Sequence, residues 1–353
     1  MLADGVIEAA FAMKDMAPAQ RHCYETLAEK LRHAPRYVLD RGAVHFVQTT
    51  AEMNPDRFLA ALKICRMPFP SMWVEFAYQD RKDWLDGAVA RGLSVTSNPN
   101  AYPPSRLGFY LEQQGSHGRI MQVTPVWAHD TALRSDKNDE IAPISKSGMI
   151  SICSLSQQID TSDNVMIDPI RLAKIRENVQ SDLKHHLRRA ADTHWRDSTA
   201  QKAWLELETR IRPTIADFMK NFWLWVHHYK PQIVGQLREL AEFDLLAEWR
   251  FILALLIIMN SRNIISVGDE IDYVRLNKSR LLKRKSALLS YRPIMLSLSR
   301  VQQNRLRTSN HADLAAHIVE GHWKVRKTGL YYWSTHARGS VGTPLVPTRK
   351  VTA

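Results

Sequence analysis

The segment Leu107–Trp127, LGFYLEQQGSHGRIMQVTPVW, has the strongest structural signature in the chain. Two runs rich in aromatic and aliphatic residues flank QQGSHG, a polar stretch that contains two glycines. This pattern is typical of a β-hairpin, because glycine favours the turn between two strands. The segment therefore predicts neighbouring strands at Leu107–Glu112 and Arg119–Trp127.

Further strands and helices are predicted on both sides of this hairpin. Met67–Phe76, MPFPSMWVEF, contains two prolines that exclude a helix, and it leads into an aromatic, β-branched strand. Met149–Leu155 predicts another strand, and Pro18 and Pro35 bracket a helix. Residues 1–155 are therefore predicted to form a mixed α and β domain.

The middle of the chain, residues 169–262, has apolar residues spaced by three and four, which predicts a helical domain. The polar stretch Ser156–Asp168 before it is typical of a linker. The apolar run Phe251–Met259 is shorter than the about 20 residues that cross a membrane, so it predicts a buried helix. The predicted helices are Ile170–Ala190, Thr199–Arg212, Pro213–Tyr229, Pro231–Leu246 and Ala247–Met259.

Positive charge is concentrated at the C-terminal end. Residues 273–353 contain 16 Lys and Arg but only two acidic residues, whereas the whole chain has a net charge of +12. A basic block at one end indicates a polyanionic partner, either a nucleic acid or an acidic protein surface. The predicted fold is therefore of the α+β class, with a mixed N-terminal domain, a helical middle and a basic C-terminal β-hairpin module at residues 273–353.

The densest basic stretch is Tyr273–Leu289, YVRLNKSRLLKRKSALL. If it is helical, Leu276, Leu282 and Leu289 mark the packed side, and the cations spread over the rest of the surface. The alternatives are an ordinary solvated helix face and a surface that contacts phosphates. The candidate nucleic-acid-binding residues here are Arg275, Lys278, Arg280, Lys283, Arg284 and Lys285.

The most structured C-terminal motif is His317–Gly339, HIVEGHWKVRKTGLYYWSTHARG, in which two alternating runs flank Thr328-Gly329. This predicts a second hairpin, with a two-residue turn at Thr328-Gly329 and Lys327 opposite Leu330. One face then contains cations and aromatic rings, while Trp323, Val325 and Tyr332 line the other. The first face either contacts bases and phosphates or is a set of cross-strand cation–π pairs. Its candidate binding residues are Lys324, Arg326, Tyr331 and Trp333, together with Arg338.

A three-residue turn that pairs Arg326 with Leu330 would exchange the faces of one strand. His322 and His336 would then share a face, with Glu320 opposite His336, and nitrogen and oxygen ligands of this kind hold zinc. This alternative makes His317, His322 and His336 metal candidates; under the two-residue turn, no metal and no cofactor are predicted.

Three motifs resemble, in this order, a family of uncharacterised proteins of bacteriophages and prophages. They are MPFPSMWVEF, RLNKSRLLKRKSALLSYRPIMLSL and the ending GHWKVRKTGLYYWSTHARG followed by Pro344 and Leu345. The resemblance covers residues 273–345 most strongly. It implies a viral origin and a location in the bacterial host cytoplasm or in the virion, and it implies no activity. Relatives tend to have glycine and proline where this chain has Arg284-Lys285-Ser286-Ala287.

Enzyme motifs are few. The chain has no P-loop and no GxGxxG, HExxH or GxSxG motif, which argues against nucleotide hydrolysis, Rossmann redox chemistry, zincin proteolysis and α/β-hydrolase chemistry. Acids that could hold Mg²⁺, with a lysine nearby to help orient a water at a phosphodiester, leave a metal-dependent nuclease as one alternative. These residues are Asp56, Glu75, Asp80, Arg81 and Lys82.

The sequence therefore favours a phage-encoded, non-enzymatic nucleic-acid-binding protein. A virion structural protein, or one that interacts with a host factor, is the main alternative. Cys23, Cys65 and Cys153 form no CxxC pair, and the first residues lack a signal-peptide pattern, so an intracellular location without a membrane is expected. Whether the chain forms a homo-oligomer is left open.

Overall fold

A mixed β-sheet forms the centre of the protein. The computed structural model describes residues 1–12, 17–52, 55–90, 104–115, 117–129, 150–161, 210–296, 317–319, 322–333 and 336–338. Within these residues the sheet has nine strands. They are β1 Arg36–Leu39, β2 Ser71–Ala77, β3 Arg106–Gln114, β4 Ile120–Ala128, β5 Ile150–Ile152, β6 Ser156–Asp160, β7 Ile211–Thr214, β8 Ile265–Val267 and β9 Arg292–Leu296.

The strand order is β7-β6-β4-β3-β2-β1-β9-β8, and β5 pairs with the end of β4. β1 is parallel to both of its neighbours, β2 and β9, whereas the other pairs are antiparallel. The predicted first hairpin is confirmed as β3 and β4. A mixed sheet with helices confirms the α+β class.

The sheet takes strands from all three segments into which the sequence was divided. β1 to β5 come from residues 1–155, β7 comes from residues 169–262, and β9 comes from residues 273–353. β9 lies beside β1 although more than half of the chain separates them. The boundaries expected from local composition therefore run through one continuous sheet.

Helices cover both faces of the sheet. Alternate residues of a strand point to opposite faces, so Trp73 packs with α1 and α2, while Met72 and Val74 pack with α3 and α7. Because both faces are covered, β2 is buried along nearly its whole length, Glu75 included. The helices are α1 Leu2–Ala12, α2 Pro18–His33, α3 Arg41–Ala51, α4 Pro55–Leu62, α5 Tyr78–Ala90, α6 Lys220–Tyr229, α7 Val234–Met259 and α8 Val274–Leu282, with 3₁₀ turns at Asp217–Met219 and Pro231–Ile233.

Three expectations about the middle of the chain are wrong. Ser156–Asp160 was predicted as linker but forms β6, because its polar residues pair with β4 and β7. Ile211–Thr214 was predicted as helix but forms β7, where Pro213 is tolerated because β7 is an edge strand. The two helices expected between Pro231 and Met259 are largely one, α7, which continues for 26 residues. The predicted helix Ile170–Ala190 lies outside the described residues.

The apolar run Phe251–Met259 is buried as predicted, and it forms the last turns of α7 under the sheet. None of the helices that the structure describes has the length and apolar character needed to cross a membrane. Cys23, Cys65 and Cys153 are buried thiols that form no disulfide with one another.

Candidate nucleic-acid interface

The C-terminal hairpin consists of β10 His317–Val319, β11 His322–Arg326, β12 Gly329–Trp333 and β13 His336–Arg338. β10 pairs with β13 and β11 pairs with β12, both antiparallel. The turn is at Lys327-Thr328, because Arg326 lies opposite Gly329. The predicted turn at Thr328-Gly329 is therefore wrong by one position.

The pairing is displaced by two residues from the predicted register. Lys324 lies opposite Tyr331 and His322 lies opposite Trp333, whereas the sequence predicted Lys324 opposite Trp333. A displacement of two residues leaves each side chain on its original face, since side chains alternate with a period of two. The predicted division of the hairpin into a cationic-aromatic face and a core face is confirmed.

The core face attaches the hairpin to the body of the protein. Trp323 and Leu330 are buried, and the rings of Trp323 and Tyr332 pack edge-on against Phe46 of α3 at centroid distances of 6.3 and 5.0 Å. Val325 is on the same face but is 46% exposed, so it adds little to the core.

Backbone contacts with the segment after α7 add to this attachment. Ser261 forms a parallel bridge with Leu330. The Asn263 amide group donates to the Tyr332 carbonyl at 2.8 Å and accepts from the Tyr332 N–H at 3.0 Å. The hairpin is therefore held by both apolar packing and directed hydrogen bonds.

We call the exposed side of this hairpin the outer face, which consists of His322, Lys324, Arg326, Tyr331 and Trp333. The Lys324 ammonium lies 4.6 Å from the Trp333 ring centroid. The Arg326 guanidinium carbon lies 5.3 Å from the Trp333 centroid and 5.8 Å from that of Tyr331. The cation–π pairs expected from the sequence are thus present, and they hold two positive groups in place on a surface open to solvent.

The outer face carries no acidic group among the described residues of β11 and β12. Lys324, Arg326 and Lys327 are exposed, and none of them forms an ion pair within the part of the chain that the structure describes. The positive charge of this face is therefore not neutralised by these neighbours.

Arg262, which directly follows the bridging residue Ser261, lies beside the outer face, although no pattern in the sequence predicted this position. It is exposed, and its Nε atom lies 3.0 Å from the position that a Cβ atom on Gly329 would occupy. Its side chain also lowers the pKa of Tyr331, whose ring lies on the same face. Only the folding of β12 onto the end of α7 brings Arg262 to the hairpin.

The metal alternative required the three-residue turn, and the observed turn has two residues. His317 lies opposite Arg338 in the ladder, and His336 lies opposite Val319. Among the side chains that the structure describes, no three His, Cys, Asp or Glu residues come together as ligands would.

The second basic segment, α8 and the loop after it, has a different construction. Asn277 and Arg280 point inward: the Asn277 amide bonds both backbone groups of Leu288, and the Arg280 guanidinium donates to the Ser286 carbonyl at 2.8 Å and to Glu8 of α1 at 2.6 Å. Arg280 is therefore a structural anchor. The other five predicted cations of this segment are exposed.

The predicted packed side of this helix is wrong. Leu276 and Leu282 are exposed, Leu282 by 86%, whereas Leu289 does pack against the core. Asn277 and Arg280 take the inward positions because the loop below α8 offers carbonyls and an N–H rather than apolar side chains. Arg284 has a φ of 54°, in the region that favours glycine.

The two basic regions lie on opposite sides of the sheet. The outer face belongs to a hairpin that packs with α3 and α4, while α8 is tied to α1 through Glu8 and, via Leu289, through Asp4. The basic C-terminal end is thus split into two surfaces.

Three of the residues of the nuclease alternative, Glu75, Arg81 and Lys82, have structural partners in the described part of the chain. Glu75 is fully buried and accepts hydrogen bonds from the Leu2 and Ala3 N–H groups, the Trp73 indole and Arg106. Arg81 pairs with Glu248 of α7, and Lys82 pairs with Asp86. The Asp56 side chain lies outside the described residues. Glu75 therefore caps the start of α1, which is a structural role.

Comparison of the chain with protein-family models, with curated proteins and with solved structures finds no match.

Proposed function

We propose that this protein is a phage-encoded, non-enzymatic nucleic-acid-binding protein and that the outer face of its C-terminal hairpin contacts the nucleic acid. The observation that carries the proposal is the unneutralised group of Lys324 and Arg326, held over the rings of Tyr331 and Trp333. Lys327 at the turn and Arg262 beside it extend the same positive surface.

Cation–π contact supports this role in a specific way. A guanidinium or ammonium group stacked on an aromatic ring has fewer conformations to lose when it binds, and its N–H donors still point to solvent. Such groups neutralise phosphates and release counterions, which drives association with DNA and RNA alike. The proposal covers both, since backbone contacts do not distinguish sequences.

The surroundings of the Trp333 ring limit how well a nucleic-acid base can stack on it. His322 lies at a centroid distance of 6.3 Å from this ring, and the Lys324 and Arg326 cations lie 4.6 and 5.3 Å from its centroid. Its faces are thus partly occupied, so phosphate contact supplies most of the expected affinity and base stacking adds less than it would on a free ring.

The test is a binding titration by fluorescence anisotropy with labelled single-stranded DNA, duplex DNA and RNA between about 50 and about 200 mM salt. We expect the logarithm of affinity to fall linearly with the logarithm of salt concentration for at least one of the three. Replacement of Lys324 and Arg326 by glutamine should weaken binding by about ten- to a hundredfold. Arg21→Gln on α2 is a matched control, since it removes an exposed charge elsewhere.

Two outcomes would contradict the proposal. One is the absence of binding to all three nucleic acids at the lowest salt concentration. The other is a loss per removed charge that is equal for Arg21→Gln and for the hairpin substitutions, because this would show a response to net charge alone.

A second candidate function is interaction with an acidic protein, in a virion or on a host factor. The observation that favours it is the exposure of Leu281 and Leu282 of α8 beside Lys278 and Lys283, because solvent-exposed leucines among cations suit a protein surface better than a phosphate backbone. Mass spectrometry of purified virions tests whether the protein is a component of the virion. Light scattering of the wild type and of Leu281→Ser/Leu282→Ser tests for self-association through α8.

A further inference from the structure

Gly329 lies between two arginines. It is opposite Arg326 in the β11–β12 ladder, and the Arg262 Nε atom is 3.0 Å from where its Cβ would be. Its φ of 133° is one that other residues rarely adopt. The missing side chain therefore allows Arg262 and Arg326 to approach the same point of the outer face.

Tyr331 lies at the point of the outer face that Arg262 and Arg326 both approach. Its hydroxyl donates to the Thr328 hydroxyl at 3.1 Å, and its ring centroid is 5.8 Å from the Arg326 guanidinium. When Tyr331 is ionised, the Thr328 hydroxyl donates to its oxygen instead, and this hydrogen bond lowers the pKa of Tyr331, while Arg262 and Arg326 lower it further. Both guanidinium groups thus act on one phenol oxygen from different elements of the fold.

Neither arginine has an acidic partner among the residues that the structure describes, and both are exposed. Two planar guanidinium groups that converge beside a hydroxyl suit a tetrahedral oxyanion better than a planar carboxylate, because each fork takes a different pair of oxygens. Of the polyanions that the charge of the chain indicates, nucleic acid supplies such a group in its backbone.

We infer that Arg262 and Arg326 clamp one phosphate group of the bound nucleic acid, next to the Tyr331 hydroxyl. This inference rests on the proposed function and adds to it a defined contact and a residue, Arg262, that lies outside the hairpin. The phosphate is either an internal phosphodiester or a terminal monoester, and both have the same oxygen chemistry.

The salt dependence of binding counts the phosphates that are neutralised, so it tests whether two arginines share one. The slope of log affinity against log salt concentration becomes less steep by about 0.9 per lost phosphate contact for duplex DNA and by about 0.7 for a single strand. We expect Arg262→Gln and Arg326→Gln each to weaken binding by about tenfold. The double variant should make this slope less steep by the amount that corresponds to one phosphate contact. A change in slope that corresponds to two phosphate contacts would overturn the clamp, because the arginines would then bind separate phosphates.

The full chain also provides the controls. Arg262→Lys keeps the charge but removes the planar fork, and we expect it to bind nearly as weakly as Arg262→Gln. Full affinity in Arg262→Lys would mean that only charge matters and would contradict the clamp. If the wild type binds and depends on Lys324, but Arg262→Gln binds normally, the clamp fails while the proposed function stands.

The two sources of phosphate are separated by comparing oligonucleotides with a 5′-phosphate and with a 5′-hydroxyl. Equal affinities support an internal phosphodiester. A preference for the 5′-phosphate that disappears in Arg262→Gln supports a terminal one. A preference that persists unchanged in Arg262→Gln would place the terminal group elsewhere and count against the clamp.

Discussion

The C-terminal hairpin and α8 are both basic, but they are built in opposite ways. The hairpin points its aromatic and aliphatic residues Trp323, Leu330 and Tyr332 inward and holds its cations on aromatic rings outside. α8 points the polar Asn277 and Arg280 inward and exposes leucines between its cations.

Both regions are therefore positively charged, but they differ in how firmly their cations are held in place. In the hairpin, Lys324 and Arg326 each lie against a ring that limits their motion, whereas no aromatic ring is part of α8 itself. A surface with ordered cations loses less conformational entropy on binding than one with free side chains. The hairpin is therefore the better candidate for phosphate contact, and α8 is the better candidate for a partner with apolar groups.

The largest expected effect is on the core side of the hairpin. Trp323→Ala removes a buried indole that packs on Phe46, and it should lower the free energy of unfolding by about 3 to 5 kcal/mol. Trp333→Ala is the matched control, since Trp333 is 38% exposed on the outer face and should cost less than about 1 kcal/mol. Chemical denaturation measures both. Equal losses would mean that the two faces of the hairpin are not distinct.

The next effect concerns binding. Lys324→Gln/Arg326→Gln and Arg275→Gln/Lys278→Gln each remove two exposed charges, the first pair from the hairpin and the second from α8. We expect the hairpin pair to weaken nucleic-acid binding by about ten- to a hundredfold. The α8 pair should change it by less than about threefold, since α8 lies on the other side of the sheet and salt screens exposed charges that make no direct contact. Equal losses would make α8 part of the interface, as its sequence predicts.

A smaller effect is expected at the anchor of α8. Arg280→Gln removes the hydrogen bonds to Glu8 and to the Ser286 carbonyl, and it should destabilise the protein by about 1 kcal/mol. Lys278→Gln on the outward side is the control and should have no measurable effect. Thermal unfolding distinguishes them. An unchanged Arg280→Gln variant would show that α8 is held by Asn277 and the backbone instead.

The smallest effect should be at the exposed leucines. Leu282→Gln should change the free energy of unfolding by no more than about 0.5 kcal/mol, because the side chain is 86% exposed. Leu289→Gln provides the contrast, since Leu289 packs against the core and its loss should destabilise. A Leu282→Gln variant as unstable as Leu289→Gln would mean that a partner, such as a second copy of the chain, covers α8 in solution.

Strand patterns were predicted well where alternation or an apolar run was strong. The β3–β4 hairpin and the two faces of the C-terminal hairpin follow from a period of two, which any shift of two residues preserves. The exact turn was missed because Thr328-Gly329 and Lys327-Thr328 both fit a two-residue connection. β6 and β7 were missed because the first is polar and the second contains a proline, so neither has a local strand signature.

The sequence by itself determined the α+β class, the buried apolar run of α7, the position of the basic end and the two faces of its hairpin. These are local properties, since residue periodicity and composition decide them within a short window. The tertiary structure alone decided that one sheet crosses the expected boundaries, that the basic end is divided between opposite sides of that sheet, and that Arg262 lies beside Gly329. The physical reason is that these depend on contacts between residues far apart in the chain, which no local pattern records.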